Sequence, residues 1–146
     1  MVAPNPATTE WVPLSGPQGP AGPRNPRVVQ LKVVADGTVV AVGSGLAVFC
    51  VDNSLGGLNL VDADAYVTTA SSSGTPMVQV RNVTQAADML TMRITIDATE
   101  FTSYTAASQP VIDAANDDVA TGDLLAVDVI NAGTGAKGLG VILTFG

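Results

Sequence analysis

The side chains that most often carry enzyme chemistry are sparse in this sequence. Histidine is absent, and Cys50 is the only cysteine, so an intrachain disulfide is excluded. A cysteine nucleophile needs a base or a cationic neighbour that lowers its pKa, and histidine is the usual one. Cys50 lies inside the apolar run 46–51, which favours a small buried thiol. We therefore expect no enzyme activity and no cofactor.

Carboxylates are the other candidates for chemistry. Asp117 and Asp118 are adjacent, Asp123 follows in the same polar stretch, and Asp62 and Asp64 form a second acidic pair. Oxygen ligands at short spacing on loops can hold Ca²⁺, although no 12-residue EF-hand pattern is visible. The alternative is a set of turns, because Asp side chains accept hydrogen bonds from nearby backbone N–H groups. We favour turns and keep Asp117, Asp118 and Asp123 as weak metal candidates.

Composition argues against several other classes of protein. The formal net charge is −7 and the six Lys and Arg residues are scattered, which disfavours a nucleic-acid binder. The glycine-rich segment 133–138 lacks the spacing of a phosphate-binding loop and precedes a predicted strand. No apolar run approaches the ~20 residues that a membrane span needs, and residues 1–6 lack the pattern of a secretory signal. We expect synthesis in a cytoplasm and no membrane insertion.

Three consecutive Gly-X-Y triplets, each with proline in the X position, occupy residues 16–24. Proline favours the polyproline II conformation, and glycine at every third residue leaves room at a crowded three-chain axis. The triplets predict a collagen-like neck over 16–26, and the alternative is a stiff linker on a monomer. They span only about 28 Å at ~3.1 Å per residue, so a trimeric neck also needs a domain that trimerises. The neck residues are Gly16, Pro17, Gly19, Pro20, Gly22 and Pro23.

Residues 1–15 precede the triplets and contain the only tryptophan of the chain. Trp11, Val12 and Leu14 are apolar side chains in a segment without a core of its own. Such a segment is typical of a peptide that docks on another protein. The alternative is a tail that folds back onto its own domain.

Residues 27–146 carry the pattern of a β domain. Only two of the nine prolines lie in this part, which is compatible with continuous sheets. Apolar and β-branched runs separated by turns predict strands at 28–34, 38–42, 46–51, 57–60, 65–69, 77–83, 90–97, 124–130 and 139–145. Together they predict an all-β fold, an antiparallel β-sandwich of jelly-roll type, preceded by an extended Pro-rich tail with a short collagen-like segment.

Two stretches of the chain carry a resemblance to a known family. One is Glu10-Trp11-Val12-Pro13-Leu14 leading into the triplets, and the other comprises 116–125, 127–129, 133–139 and 141–145. In these the chain resembles the small collagen-neck virion proteins of tailed actinobacterial bacteriophages, of minor tail or head-fibre type. The resemblance implies a homotrimer of β-sandwich knobs without enzyme activity, made in the bacterial cytoplasm and built into the virion.

The sequence and the resemblance together predict a structural virion protein. The leading hypothesis is a trimeric minor tail protein, a tail-tip or fibre-like appendage anchored to other virion proteins by residues 1–15. One alternative is a capsid decoration or head-fibre protein, and another is a carbohydrate-binding module that attaches the virion to host surface glycans. A sugar site needs aromatic platforms beside polar groups, and Tyr66, Phe101 and Tyr104 are the aromatic residues outside strongly apolar strands.

Overall fold

The structure is a computed structural model that describes residues 26–146. The predicted docking segment 1–15 and, except for Pro26, the predicted neck lie outside these residues. The strands in chain order are β1 (Arg27–Lys32), β2 (Gly43–Cys50), β3 (Leu60–Tyr66), β4 (Met77–Asn82), β5 (Ala87–Asp88), β6 (Leu90–Met92), β7 (Ile94–Thr95), β8 (Val111–Ile112), β9 (Leu124–Asn131) and β10 (Gly140–Phe145). A 3₁₀ turn, Ser103–Thr105, precedes β8.

The strands form two main antiparallel sheets. The first sheet has the order β1-β10-β3, and the second has the order β2-β9-β4, with β5 and β7 both paired to β4. Strands β6 and β8 pair separately. The prediction of an all-β, antiparallel fold is therefore confirmed, whereas the β-sandwich of jelly-roll type stays a prediction. Within residues 26–146, no helix has the length and apolar character that a membrane crossing requires.

Residues of both main sheets contribute to one hydrophobic core. Alternate side chains of each strand point into it, because successive residues of a strand face opposite sides of the sheet. Strands β9 and β10 are well covered, since each has a strand on both sides. Their inward residues, exposed by 1% or less, are Leu125, Val127, Val129, Val141, Leu143 and Phe145.

Several predicted strands differ from the observed ones. Segment 38–42 forms no strand and makes only a single bridge, between Val39 and Lys137. The third strand begins at Leu60 and ends at Tyr66, between the two strands predicted at 57–60 and 65–69. The predicted strand 90–97 is divided into β6 and β7 by Arg93. The alternation of apolar and polar side chains along a strand could not by itself define these boundaries, because the partner strands determine which residues pair.

The glycines at the start of β2 lie in an irregular part of its pairing with β9. The pairing of β2 with β9 shifts register between Gly43 and Ala47. Gly45 has a φ of +62°, and its N–H donates to Oδ1 of Asp128 at 2.6 Å. The same carboxylate forms a bidentate ion pair with Arg81, at 2.9 and 3.2 Å. These hydrogen bonds, led by those from Arg81, hold the pKa of Asp128 below its ordinary value.

Candidate functional site

The carboxylate of Asp123 organises the polar loop in which the metal candidates lie. Its Oδ2 atom accepts hydrogen bonds from Nδ2 of Asn82 at 2.9 Å, from Nε2 of Gln85 at 2.9 Å and from the N–H of Ala120 at 3.0 Å. The donors, with the Ala120 N–H foremost, lower the pKa of Asp123 from its ordinary value. Asp123 therefore joins this loop to the end of β4.

The other two metal candidates contact the fold through their backbone. The carbonyl of Asp117 accepts from the N–H of Leu60 at 2.8 Å, and Asp118 forms an isolated bridge with Asn59. In the part of the chain that the structure describes, no group of three or more Asp, Glu or Cys side chains is placed to hold a metal ion. Of the three candidates, Asp123 has a side chain that accepts a hydrogen bond from a nearby backbone N–H, that of Ala120, as the turn interpretation expects.

The acidic pair on β3 lies on the outer face of the first sheet. Asp64 is only 6% exposed, and its Oδ1 accepts a hydrogen bond from Oγ of Ser103 at 2.8 Å. The same Ser103 oxygen accepts from the N–H of Ala65 at 3.0 Å. Burial raises the pKa of Asp64, Asp62 raises it further, and the Ser103 hydrogen bond opposes the shift. Sequence spacing identified the pair but not the buried serine, which lies 39 residues further along the chain.

The loop that supplies Ser103 also presents two aromatic side chains. Phe101 and Tyr104 are 55% and 59% exposed, on either side of the buried Ser103. The loop is fixed to β3, because the N–H of Val67 donates to the carbonyl of Phe101 at 2.8 Å and Tyr66 bridges Thr102. The two aromatic rings are therefore carried by a backbone that is anchored beside the acidic pair.

Side chains inside the loop hold it together as well. Nε2 of Gln109 donates to the carbonyls of Ser103 at 3.0 Å and Ala106 at 2.8 Å. The N–H of Ala107 donates to Oδ2 of Asp97 at 2.9 Å. A loop closed by several such bonds keeps its shape when a ligand binds, which reduces the entropy lost on binding.

The third aromatic residue, Tyr66, is partly covered. Gly140 lies opposite Tyr66 in the first sheet, and a Cβ atom at Gly140 would overlap with the Tyr66 ring. Nζ of Lys32 lies 4.8 Å from the ring centroid and also pairs with Asp36 at 2.8 Å. This side of the domain, which we call the aromatic face, thus combines Tyr66, Phe101 and Tyr104 with Lys32, Asp62 and Asp64.

A second surface is formed where the two sheets have free edges. Within residues 26–146, β1 and β2 each have a strand partner on one side only. Strand β3 packs near β7 at the opposite end of the sheets, so β1 and β2 lie on the same side of the core. The pKa of Asp52, just after β2, is lowered mainly by hydrogen bonds from Ser54 and to a smaller extent by Arg27 at the start of β1. We call the two free edges with segment 33–42 the open side.

The core is incompletely covered at the open side. Val29 and Leu31 of β1, and Ala47 and Phe49 of β2, pack against the core but stay partly exposed. A groove of about 320 Å³ continues from them between the end of β1 and the start of β2. Its lining is mostly apolar and includes Val33, Val39, Val42 and Leu46. A surface of this kind is typical of a protein–protein contact.

The prediction of a buried thiol at Cys50 is wrong, because Cys50 is exposed. Strand β2 is an edge strand, and its side chains alternate between the core and the outside. Phe49 takes the inward position, so Cys50 faces outward beside Leu124 of β9. An apolar run in the sequence could not distinguish an edge strand from a central one.

Comparisons with protein-family models, with curated proteins and with solved structures find no match for this chain. The predicted docking residues and neck residues lie outside the described residues.

The open side was not identified from the sequence, although one signal for it exists. Segment 37–51 contains no charged residue and includes all of β2.

Proposed function

We propose that this chain is a structural bacteriophage virion protein without enzyme activity. In this proposal it is a homotrimeric minor tail protein, a tail-tip or fibre-like appendage. Residues 1–15 anchor it to other virion proteins, the triplets form a collagen-like neck, and residues 27–146 form a β-sandwich knob of jelly-roll type. The observation that carries the proposal is the open side, which supplies the apolar contact surface that so short a neck requires.

The position of the triplets supports a trimer of this kind. The last triplet ends at Arg24, and β1 begins at Arg27. Three residues span at most about 11 Å, so β1 starts close to the end of the neck. A neck of three parallel chains would therefore bring β1 of each copy near the common axis. The free edge of β1 belongs to the open side, which supports a contact between copies through this surface.

The assignment to a virion rests on the resemblance of segment 10–14 with the triplets, and of segments 116–125, 127–129, 133–139 and 141–145. The latter segments include most of β9 and β10, the strands at the centre of the two sheets. A tail position is preferred from the same resemblance. A capsid decoration or head-fibre protein would use the same trimer and the same neck, and differs only in the partner that receives residues 1–15.

Deletion of residues 1–15 tests the anchor. We expect the truncated chain to keep the fold and the trimer, because both sheets are formed within residues 26–146, and to be absent from assembled particles. The measurement is particle incorporation by mass spectrometry of purified virions, in cells that express the full or the truncated chain. Light scattering should give a mass of three chains of 14.7 kDa for the full-length protein. Normal incorporation of the truncated chain would show that the anchor lies elsewhere.

A second function, attachment to host glycans, is favoured by the aromatic face. Phe101 and Tyr104 are exposed on a loop that is anchored beside the exposed carboxylate of Asp62 and the buried Asp64. Aromatic rings stack on the apolar faces of sugars, and carboxylates accept hydrogen bonds from sugar hydroxyls. This role is compatible with a trimeric knob, since three copies of a weak site increase avidity.

Alanine substitutions test the glycan hypothesis. Phe101→Ala and Tyr104→Ala are each expected to weaken binding of the trimer to host cell-wall glycans by about tenfold or more, as for central contact residues. The matched control is Val111→Ala, which removes an exposed apolar side chain of β8 outside the aromatic face. Co-sedimentation with purified cell walls measures the binding. If the wild-type trimer does not sediment with the walls, or all variants bind equally, the aromatic face is not a glycan site.

A further inference from the structure

We propose that the open side is the subunit interface of the trimer, and that its occupant is a second copy of this chain. The contact is centred on β2 and on the groove beside it. This inference rests on the proposed trimer and deepens it, because it names the β2 edge and the groove as the two patches through which neighbouring copies meet.

The first argument comes from the exposed edge of β2. Edge strands in natural proteins are usually protected by charged side chains, prolines or bulges, because a bare edge pairs with other chains. The irregularity between Gly43 and Ala47 disrupts only the first half of β2. From Ala47 to Cys50 the pairing with β9 is regular, and the other edge carries no protecting charge or proline. Such an edge is stable in solution when another polypeptide covers it.

The second argument comes from the shape of the open side. Its two parts are different surfaces: a strand edge with the partly exposed Ala47 and Phe49, and a concave groove lined by Val39 and Val42. A cyclic trimer requires contacts between unlike surfaces, since each copy uses one patch toward one neighbour and another patch toward the other. The open side provides two unlike apolar patches next to each other.

The third argument concerns which partner can reach this surface. The triplets end three residues before β1, so a three-chain neck would hold the open sides of its copies within a short distance of one another. Tethering of this kind raises the effective concentration of the copies for each other far above that of a free partner. A second copy is therefore favoured over an unrelated protein.

Charge insertion tests the interface. Val42→Lys places an ammonium group in the groove, and Val48→Lys places one on the outward face of β2 beside its free edge. The two positions are 66% and 53% exposed in the single chain, so both variants should fold. The control Val111→Lys changes the same residue type at a position 46% exposed on β8. Sedimentation over a dilution series measures the protein concentration at which half of the trimer has dissociated. This concentration should be about tenfold higher or more for the first two variants and unchanged for the control. Circular dichroism verifies the fold of each.

The outcomes separate this inference from the proposed function. A wild-type chain that sediments as a monomer would contradict the trimer itself. A wild-type trimer whose Val42→Lys and Val48→Lys variants dissociate like the control would overturn the interface and leave the trimer in place. If, in addition, Val42→Lys shifts the emission of Trp11 without changing the mass, the occupant of the groove is the chain's own tail. Hydrogen exchange of the wild-type chain needs no variant: the β2 amides should exchange about tenfold or more slowly in the trimer than after dilution to monomer.

Discussion

Replacing Asp123 by alanine is expected to lower the free energy of unfolding by about 2–3 kcal/mol at neutral pH. The substitution leaves three donors without their acceptor, and one of them is the amide of Asn82, whose side chain is completely buried. An unsatisfied buried donor costs more than the net value of the bond that it made. Urea denaturation of the single variant measures the effect.

The matched control is Asp118→Ala in the same loop. Asp118 uses its backbone carbonyl as the acceptor for Gln85, and this carbonyl survives the substitution. Asp118→Ala should lower the free energy of unfolding by no more than about 0.5 kcal/mol. Equal costs for both variants would contradict the structural role of the Asp123 carboxylate. A rise in melting temperature with millimolar Ca²⁺, lost in Asp123→Ala, would instead favour the metal hypothesis.

The same residue gives the stability a defined pH dependence. The folded-state pKa of Asp123 is lowered, so the folded protein binds this proton less readily than the unfolded chain does. The Asp123 carboxylate therefore stabilises the fold above the pKa of this group in the unfolded chain, about 3.9. This stabilisation is lost as the pH falls through the pKa of Asp123 in the folded protein. The difference in the free energy of unfolding between the wild type and Asp123→Ala should accordingly become smaller below about pH 4.

Gly138→Ala is expected to destabilise the domain by about 3 kcal/mol, for two reasons that add. Gly138 has a φ of +69°, which costs an L-residue about 1 kcal/mol or more. A Cβ atom there would also overlap with Oγ1 of Thr68 and lie 2.7 Å from Oδ1 of Asp36. Thr68 cannot move freely, because its hydroxyl donates to the carbonyl of Lys137 at 3.1 Å.

Gly135→Ala separates these two reasons. Gly135 has a similar φ of +74°, and a Cβ atom at this position has no neighbour within 4 Å. Gly135→Ala should lower the free energy of unfolding by only about 1 kcal/mol, because it carries the cost of the positive φ without any crowding. Thermal and urea denaturation of both variants measure the difference. If the two costs agree, crowding at Gly138 contributes nothing.

The sequence predicted best what depends on local alternation. The antiparallel all-β class and the central strands β9 and β10 follow from apolar runs that are bounded by glycine-rich turns. Features that depend on distant partners were missed. The exposure of Cys50 follows from the position of β2 at an edge, and the burial of Asp64 depends on Ser103. Segment 38–42 has a strand-like composition, but its one bridging residue, Val39, pairs with Lys137 almost 100 residues away.

The strand order of the first sheet also governs when the domain can fold during synthesis. Strand β1 pairs with β10, and Arg27 lies opposite Phe145. The ribosome produces β1 and β2 well before β10. Until β10 is made, β1 has no partner strand in the first sheet. Pairings between residues so far apart in sequence form slowly, since the intervening loop must close first. Throughout that interval the uncharged β2 is available to other nascent chains, and neighbouring copies on one messenger RNA are the nearest of these.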